Sequence, residues 1–222
     1  APYSHTAKES HEIAEYFLSL FEFKDDFILT RKKNIEATKF MGKRIESFLK
    51  RKRFDHVCSG IQIFIEKIIS EWIKKIINKT KINKITLSGG LFMNVKLNQI
   101  ISNLPEVQDL FVFPSCGDET NVFGALYQNY KNTTNITPKK ISHFYYGNKY
   151  SNEEALLAIK NYEFNNCKIK YTKIENIEKK IAELINEKKI VARFKGAMEF
   201  GARSLGNRAI LADPTTINSV YE

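Results

Sequence analysis

Alternating amphipathic helices and short apolar strands predict an α/β fold made of two units joined near residue 135. Three observations carry this. Val57, Ile61, Phe64, Ile65, Ile68, Trp72, Ile73 and Ile76 recur at three- and four-residue steps over residues 57–77, the period of a helix that buries one face. The short apolar runs in "INKITLSGG" and "DLFVFP" stand between helical patterns, as the strands of an α/β sheet do. The stretch "KNTTNITPKK", residues 131–140, has no apolar period and reads as a linker.

The elements follow in order. After the 57–77 helix comes the strand of "INKITLSGG", which ends in paired glycines, and "LFMNVKLNQIISN" then resumes as a helix. "DLFVFP" is the next strand, and residues 120–130, with Val122, Phe123, Ala125 and Leu126, form a helix, so the first unit reads α-β-α-β-α. Beyond the linker, "SNEE" at residues 151–154 matches a capping box that starts a helix through Ile159. "CKIKYT" reads as a strand and residues 177–187 as a helix. The strand "KIVARF" then leads into "FKGAMEFGARSLGNRAILADP", residues 194–214.

Composition bounds the class. With 222 residues, 43% of them hydrophobic and 12% aromatic, the chain has material for a packed core. No run approaches the roughly 20 apolar residues of a membrane span, and "APYSHTAKESHE" is not a signal peptide, so a cytoplasmic location and no membrane partner are expected. Cys58, Cys116 and Cys167 are odd in number and widely spaced, which reads as reduced thiols. A formal charge of +10 invites a nucleic-acid reading. The lysines and arginines are scattered over several segments, however, and a solvated basic surface is the preferred account. The start on "APYS" without a methionine, and the stop at "NSVYE" just past the most motif-like stretch, lead to the expectation of an internal fragment.

Three stretches can carry chemistry. In "LSGGLFMN", Gly89 and Gly90 either make a tight turn or let backbone amides approach a phosphate at a helix start. In "PSCGDETNVFGA", Asp118 lies just past a strand end, where ligands and metals are met, yet by residue type it reads first as the N-cap of the next helix. In the 194–214 stretch, Arg203 and Arg208 offer planar forks of donors, Gly196, Gly201 and Gly206 recur every five residues, Asn207 donates and accepts, and Glu199 can orient an arginine or meet a nucleotide hydroxyl. A polyanion site is the favoured account, with a structural network of Glu199 and the arginines as its alternative.

The stretch "FKGAMEFGARSLGNRAILADP" resembles the signature of the nodulation-protein and antibiotic O-carbamoyltransferase family, Met-Glu-Phe-Gly-Pro-Arg-Ala-Leu-Gly-Asn-Arg-Ser-Ile-Leu-Ala-Asp-Pro. "APYS", "SGIQ" at residues 59–62, "LSGGLFMN" and "PSCGDETNVFGA" are similar to the family in the same order. The resemblance implies that residues 1–135 are the second half of an actin-like ATPase-type domain and residues 141–222 the beginning of a YrdC-like domain. It also implies an enzyme that makes carbamoyl adenylate from carbamoyl phosphate and ATP and passes the carbamoyl group to a hydroxyl of a small-molecule acceptor, such as a sugar-containing metabolite, aided by a divalent metal, usually iron.

Under that resemblance Arg203 and Arg208 would offset charge on carbamoyl phosphate and ATP, with Asn207, Gly201 and Gly206 shaping the pocket and Glu199 beside the nucleotide. Ser88, Gly89, Gly90 and Asn94 would hold the nucleotide portion of the adenylate, and Asp118 would be a metal ligand, reversing its N-cap reading. Ala202, Ser204 and Ala209 replace the family's proline, alanine and serine, and Glu119, Thr120 and Asn121 crowd a position where the family continues with small residues. The family's two metal-binding histidines belong upstream of "APYS", and His5, His11, His56 and His143 read as surface residues. The alternatives are a tRNA-modifying or RNA-binding relative and an inactive family member.

Overall fold

The residues that set the helical period form the longest helix of the computed structural model, which describes residues 6–25, 27–162 and 170–215. Contacts divide the chain into two compact units, Ala1–Asp118 and Glu119–Glu222. In the first, α1 (Lys8–Ser19) leads to a hairpin of β1 (Phe21–Lys24) and β2 (Ile28–Arg31), then to α2 (Gly42–Leu49) and the long α3 (Phe54–Thr80). β3 (Lys84–Leu87), α4 (Val95–Ser102) and β4 (Asp109–Val112) follow. β3 and β4 run parallel in the register Lys84↔Asp109 to Leu87↔Val112, with α4 as the crossover, so this part is a β-α-β unit.

The apolar stripe of α3 makes the core. Ile68, Ile69, Ile73 and Ile77 pack on Leu97 and Ile101 of α4, with Phe21, Phe23, Leu29, Phe64 and Leu110 around them. Trp72 is half-buried against the hairpin, and its indole N–H donates to the Phe27 carbonyl at 2.7 Å. At the other end of α3, Gly60 lets α1 approach: a Cβ there would stand 2.6 Å from Ile13 Cγ2. The "SGIQ" stretch is thus a helix-crossing point.

The second unit contains α5 (Asn121–Thr134), α6 (Asn152–Asn161), α7 (Ile177–Asn186), β5 (Val191–Phe194) and β6 (Arg208–Leu211). The expected capping box is complete: Ser151 Oγ accepts from the Glu154 N–H at 3.1 Å, and Glu154 Oε2 accepts from the Ser151 N–H at 2.7 Å. α7 is tied to β5 by Glu178, whose carboxylate accepts from both terminal nitrogens of Arg193, at 2.7 and 2.9 Å.

Several local expectations are corrected. The 3-10 turn Gly90–Met93 precedes α4, because Asn94 caps the helix at Val95 rather than letting it start at Leu91. α5 runs on to Thr134, closed by Asn135 in a left-handed conformation, so the irregular stretch begins later than residue 131. Within the second unit, Phe123 of α5 packs edge-on against Phe200, with ring centroids 4.9 Å apart. The strand expected at "CKIKYT" falls largely outside the described residues, and residues 170–172 carry no strand. Cys58 and Cys116 are unbridged thiols, while Cys167 lies outside the described residues. The mixed α/β class stands. Among the described residues no helix is long and apolar enough to cross a membrane.

Candidate active site

The motif stretch is the loop of a β-hairpin. β5 and β6 pair antiparallel from Val191↔Leu211 to Phe194↔Arg208, and the Lys195 N–H donates to the Asn207 carbonyl at 2.9 Å, closing the loop at its base. Gly196, Gly201 and Gly206 have φ of +56°, +124° and +98°, values a residue with a Cβ adopts only under strain. Their five-residue recurrence therefore marks three turns of the backbone.

Those turns bring amides together on Glu199. Its Oε1 accepts from the N–H groups of Leu205 at 2.9 Å and Asn207 at 3.1 Å, and the Arg208 N–H reaches Oε1 at 3.3 Å and Oε2 at 3.2 Å. Desolvation pushes the Glu199 pKa up, but its own N–H and those of Leu205, Arg208 and Asn207 together outweigh it and hold the pKa at about 2. Arg208 is enclosed in the opposite sense. Its Nη1 donates to the carbonyls of Lys195 at 2.8 Å and Asn207 at 3.3 Å, and its Nη2 to Gly196 at 3.2 Å and Asn148 at 3.5 Å. The guanidinium carbon lies 3.5 Å from the centre of the Phe194 ring. Asn207 donates from Nδ2 to the Ala197 carbonyl at 2.7 Å, and Arg203 is exposed.

A segment that the sequence did not single out supports this loop. Phe200 N–H donates to Phe144 O at 2.7 Å, Gly147 N–H to Met198 O at 2.9 Å, and Met198 N–H to Asn148 O at 3.1 Å, an antiparallel pairing of 144–148 with 198–200. A Cβ on Gly147 would stand 2.7 Å from Met198 Cβ, so only glycine permits this approach. Tyr145 adds a hydroxyl donated to the Leu205 carbonyl at 3.3 Å. The aromatic cluster "HFYY" just ahead of Gly147 was the available signal.

The first unit holds the other expected residues. Ser88 follows β3, Gly89 turns at φ +107°, and Gly90 opens the 3-10 turn with no atom within 4 Å of where a Cβ would lie. An apolar cavity of about 340 Å³, walled by Trp72, Ile76, Ile85, Leu87 and Phe92, reaches Ser88. Asn94 is engaged within the fold. Its Oδ1 accepts from the Leu97 N–H at 3.1 Å as the cap of α4, and its Nδ2 donates to Gln62 of α3 at 2.8 Å.

Asp118 is exposed at the start of a 3-10 turn. It is not the cap of α5, because Thr120 holds that position without a side-chain bond. Among the described residues no group of three or more His, Cys, Asp or Glu side chains stands close enough to hold a metal. One carboxylate falls short of the several donors a bound cation takes, so these residues do not by themselves fit the expected metal. His5 lies outside the described residues, and His11 and His143 are exposed as expected. His56 is not a surface residue: its side chain is 17% exposed and its Nδ1 stands 2.7 Å from Glu9 of α1, a contact made where α1 meets the start of α3.

Residues 6–127 match the carbamoyltransferase N-terminus and residues 182–221 the carbamoyltransferase C-terminus. The chain belongs to the carbamoyltransferase family. The N-terminal match contains Ser88, Gly89, Gly90, Asn94 and Asp118, and the C-terminal match contains the whole hairpin loop. A protein of Methanocaldococcus jannaschii described as uncharacterized is 35% identical over 189 residues, 82% of this chain and 35% of that protein. A second from the same organism is 32% identical over 163 residues, 72% of this chain and 27% of that one. The nodulation protein NolNO of Sinorhizobium fredii is 27% identical over 161 residues, 70% of this chain and 23% of its own length. This carbamoyltransferase-family chain thus spans about a quarter to a third of the curated relatives it matches.

Proposed function

We propose that the protein is an O-carbamoyltransferase that forms carbamoyl adenylate from carbamoyl phosphate and ATP and transfers the carbamoyl group to a hydroxyl of a sugar-containing or other small metabolite. The observation that supports it is the hairpin loop, a glycine-turned backbone held rigid by Glu199 and Arg208, with exposed Arg203 between two of its glycines. A cation on a prearranged loop stabilises charge that develops during reaction better than a mobile one, because it needs no reorganisation. Residues 1–135 act in this reading as part of an actin-like transfer domain and residues 141–222 as part of a YrdC-like adenylate-forming domain.

Three displacements make up the reaction. Water releases inorganic phosphate from carbamoyl phosphate, the carbamate oxygen attacks the α-phosphorus of ATP as pyrophosphate leaves, and the acceptor oxygen attacks the carbamoyl carbon as AMP leaves. Arg203 meets the phosphate charge in the first two steps. Gly201, Gly206 and Asn207 shape the loop, and Arg208 anchors its base from within. Ser88, Gly89 and Gly90 form the open turn against which the nucleotide part of the adenylate lies, and Asn94 holds that turn to α3.

The test is turnover by the complete protein given ATP, carbamoyl phosphate and a hydroxyl acceptor. AMP and pyrophosphate must appear only when carbamoyl phosphate is present, and ATP turnover that ignores carbamoyl phosphate sinks the reading. Arg203→Ala is expected to lower adenylate formation by about 100-fold or more with the fold intact.

A further inference from the structure

We propose that Glu199 is a positioning residue of this loop and not a contact of the nucleotide: its carboxylate is a built-in anion that gathers the amides of Leu205, Asn207 and Arg208 and thereby sets the shape of the 200–206 tip. The inference deepens the carbamoyltransferase reading of the same loop and rests on it for its kinetic part only.

Backbone that turns through left-handed glycines points successive N–H groups into one concavity, which takes an anion. In a loop that binds phosphate through its backbone, that concavity is left to the ligand. Here one oxygen of Glu199 takes amides at 2.9, 3.1 and 3.3 Å, and the other takes one at 3.2 Å. A phosphate oxygen at the same point would have to expel the carboxylate and stand against its charge.

The backbone that carries Glu199 is itself held from both sides. Its neighbours Met198 and Phe200 are both bonded to the 144–148 segment, at 3.1 and 2.7 Å. Arg208 completes the arrangement by drawing together the carbonyls of Lys195, Gly196, Asn207 and Asn148. Amides therefore converge on the carboxylate and carbonyls on the guanidinium, so both charges face backbone of the loop and of the 144–148 segment that braces it. Such a brace places the tip to within the fraction of an ångström that catalysis requires, without touching substrate.

Glu199→Gln in the complete protein separates the two roles, since it keeps the shape and removes the charge. A brace predicts that kcat falls about 10- to 100-fold while the KM for ATP stays within about threefold. It also predicts that amide hydrogen exchange at Leu205, Asn207 and Arg208 speeds up by about tenfold or more, while Arg193 and Ala209, a hydrogen-bonded pair of the β5–β6 ladder, keep their protection. Gly206→Ala, which disturbs the same concavity from the backbone side, is expected to give the same pattern. A KM for ATP raised about tenfold or more, with exchange at the three amides unchanged, marks a nucleotide contact and overturns the proposal. The exchange measurement stands without turnover: in a protein with no carbamoyl-phosphate-dependent ATP turnover, faster exchange in Glu199→Gln upholds the brace and unchanged exchange overturns it. The missing turnover counts only against the O-carbamoyltransferase reading.

Discussion

Replacing Gly60 with alanine tests the crossing of α1 on α3. The added Cβ would stand 2.6 Å from Ile13 Cγ2, 2.7 Å from Ile13 Cβ and 2.8 Å from the Ser10 carbonyl oxygen. Carbon atoms rest about 3.5–4.0 Å apart, so the helices must separate by about 1 Å. Ser10 and Ile13 are 0% exposed, and the Ser10 contact is with backbone, so no side chain can swing aside into water. Overpacking of this kind costs about 1–3 kcal/mol. Removing a glycine from a helix interior offsets about 1 kcal/mol of that. With three contacts below 3 Å the upper part of the range applies, and the net loss is expected near 1–2 kcal/mol. Urea and thermal unfolding of the complete protein, followed by circular dichroism, should show it as a midpoint lowered by a few degrees. Gly124→Ala is the control: it lies inside α5 with nothing within 4 Å, and it is expected to stabilise by about 0.5–1 kcal/mol. A Gly60→Ala protein as stable as its parent would refute the argument from close approach.

Unfolding and amide exchange also reach the caps and the buried donors. Asn94→Ala removes the cap of α4 and its bond to Gln62, and should cost about 1–2 kcal/mol with faster exchange of the Leu97 N–H; unchanged exchange there would deny the cap. Trp72→Phe deletes the donor to the Phe27 carbonyl, and a loss of about 1 kcal/mol or more is expected in urea unfolding. Ser151→Ala should cost about 1 kcal/mol, seen as fraying of α6 in amide exchange. Glu199 is held at about 2 by backbone amides, and Glu36 is lowered to about 2 chiefly by its hydrogen bonds from Arg44. Both folded pKa values lie below the ordinary 4.5, so their stabilisation is present above pH 4.5 and is lost as pH falls from there toward 2. An acid titration of Glu199→Gln should lose its share of that slope, and a slope identical to the parent's would show that the carboxylate is not bonded in this way.

Much of the fold was legible wherever one residue pattern repeated over several turns. The stripe from Val57 to Ile76 needs a helix of helical period and nothing else, and α3 contains it. The capping box at Ser151 was equally legible, since both of its bonds are local. β6 was not, because "RAIL" is four residues long and becomes a strand only by pairing with β5 across the intervening loop. The same holds for β1 and β2, whose runs "FEFK" and "ILTR" are too short to carry a period.

For the site, residue order alone supplied the inventory: three glycines at five-residue steps, two arginines, a glutamate and an asparagine in one stretch, and a signature shared with carbamoyltransferases. Residue type permitted positive φ at Gly196, Gly201 and Gly206, because glycine adopts it without strain, and the fold realises it there. Which charge faces what was settled by the folded chain. Glu199 and Arg208 are nine residues apart, and sequence could equally have paired them with each other, with a ligand or with the backbone. Folding the hairpin brings amides onto one and carbonyls onto the other, and the 144–148 segment, some fifty residues upstream, holds the backbone on either side of Glu199. Hydrogen bonds of that kind depend on distances across the fold, which no local pattern of residues encodes.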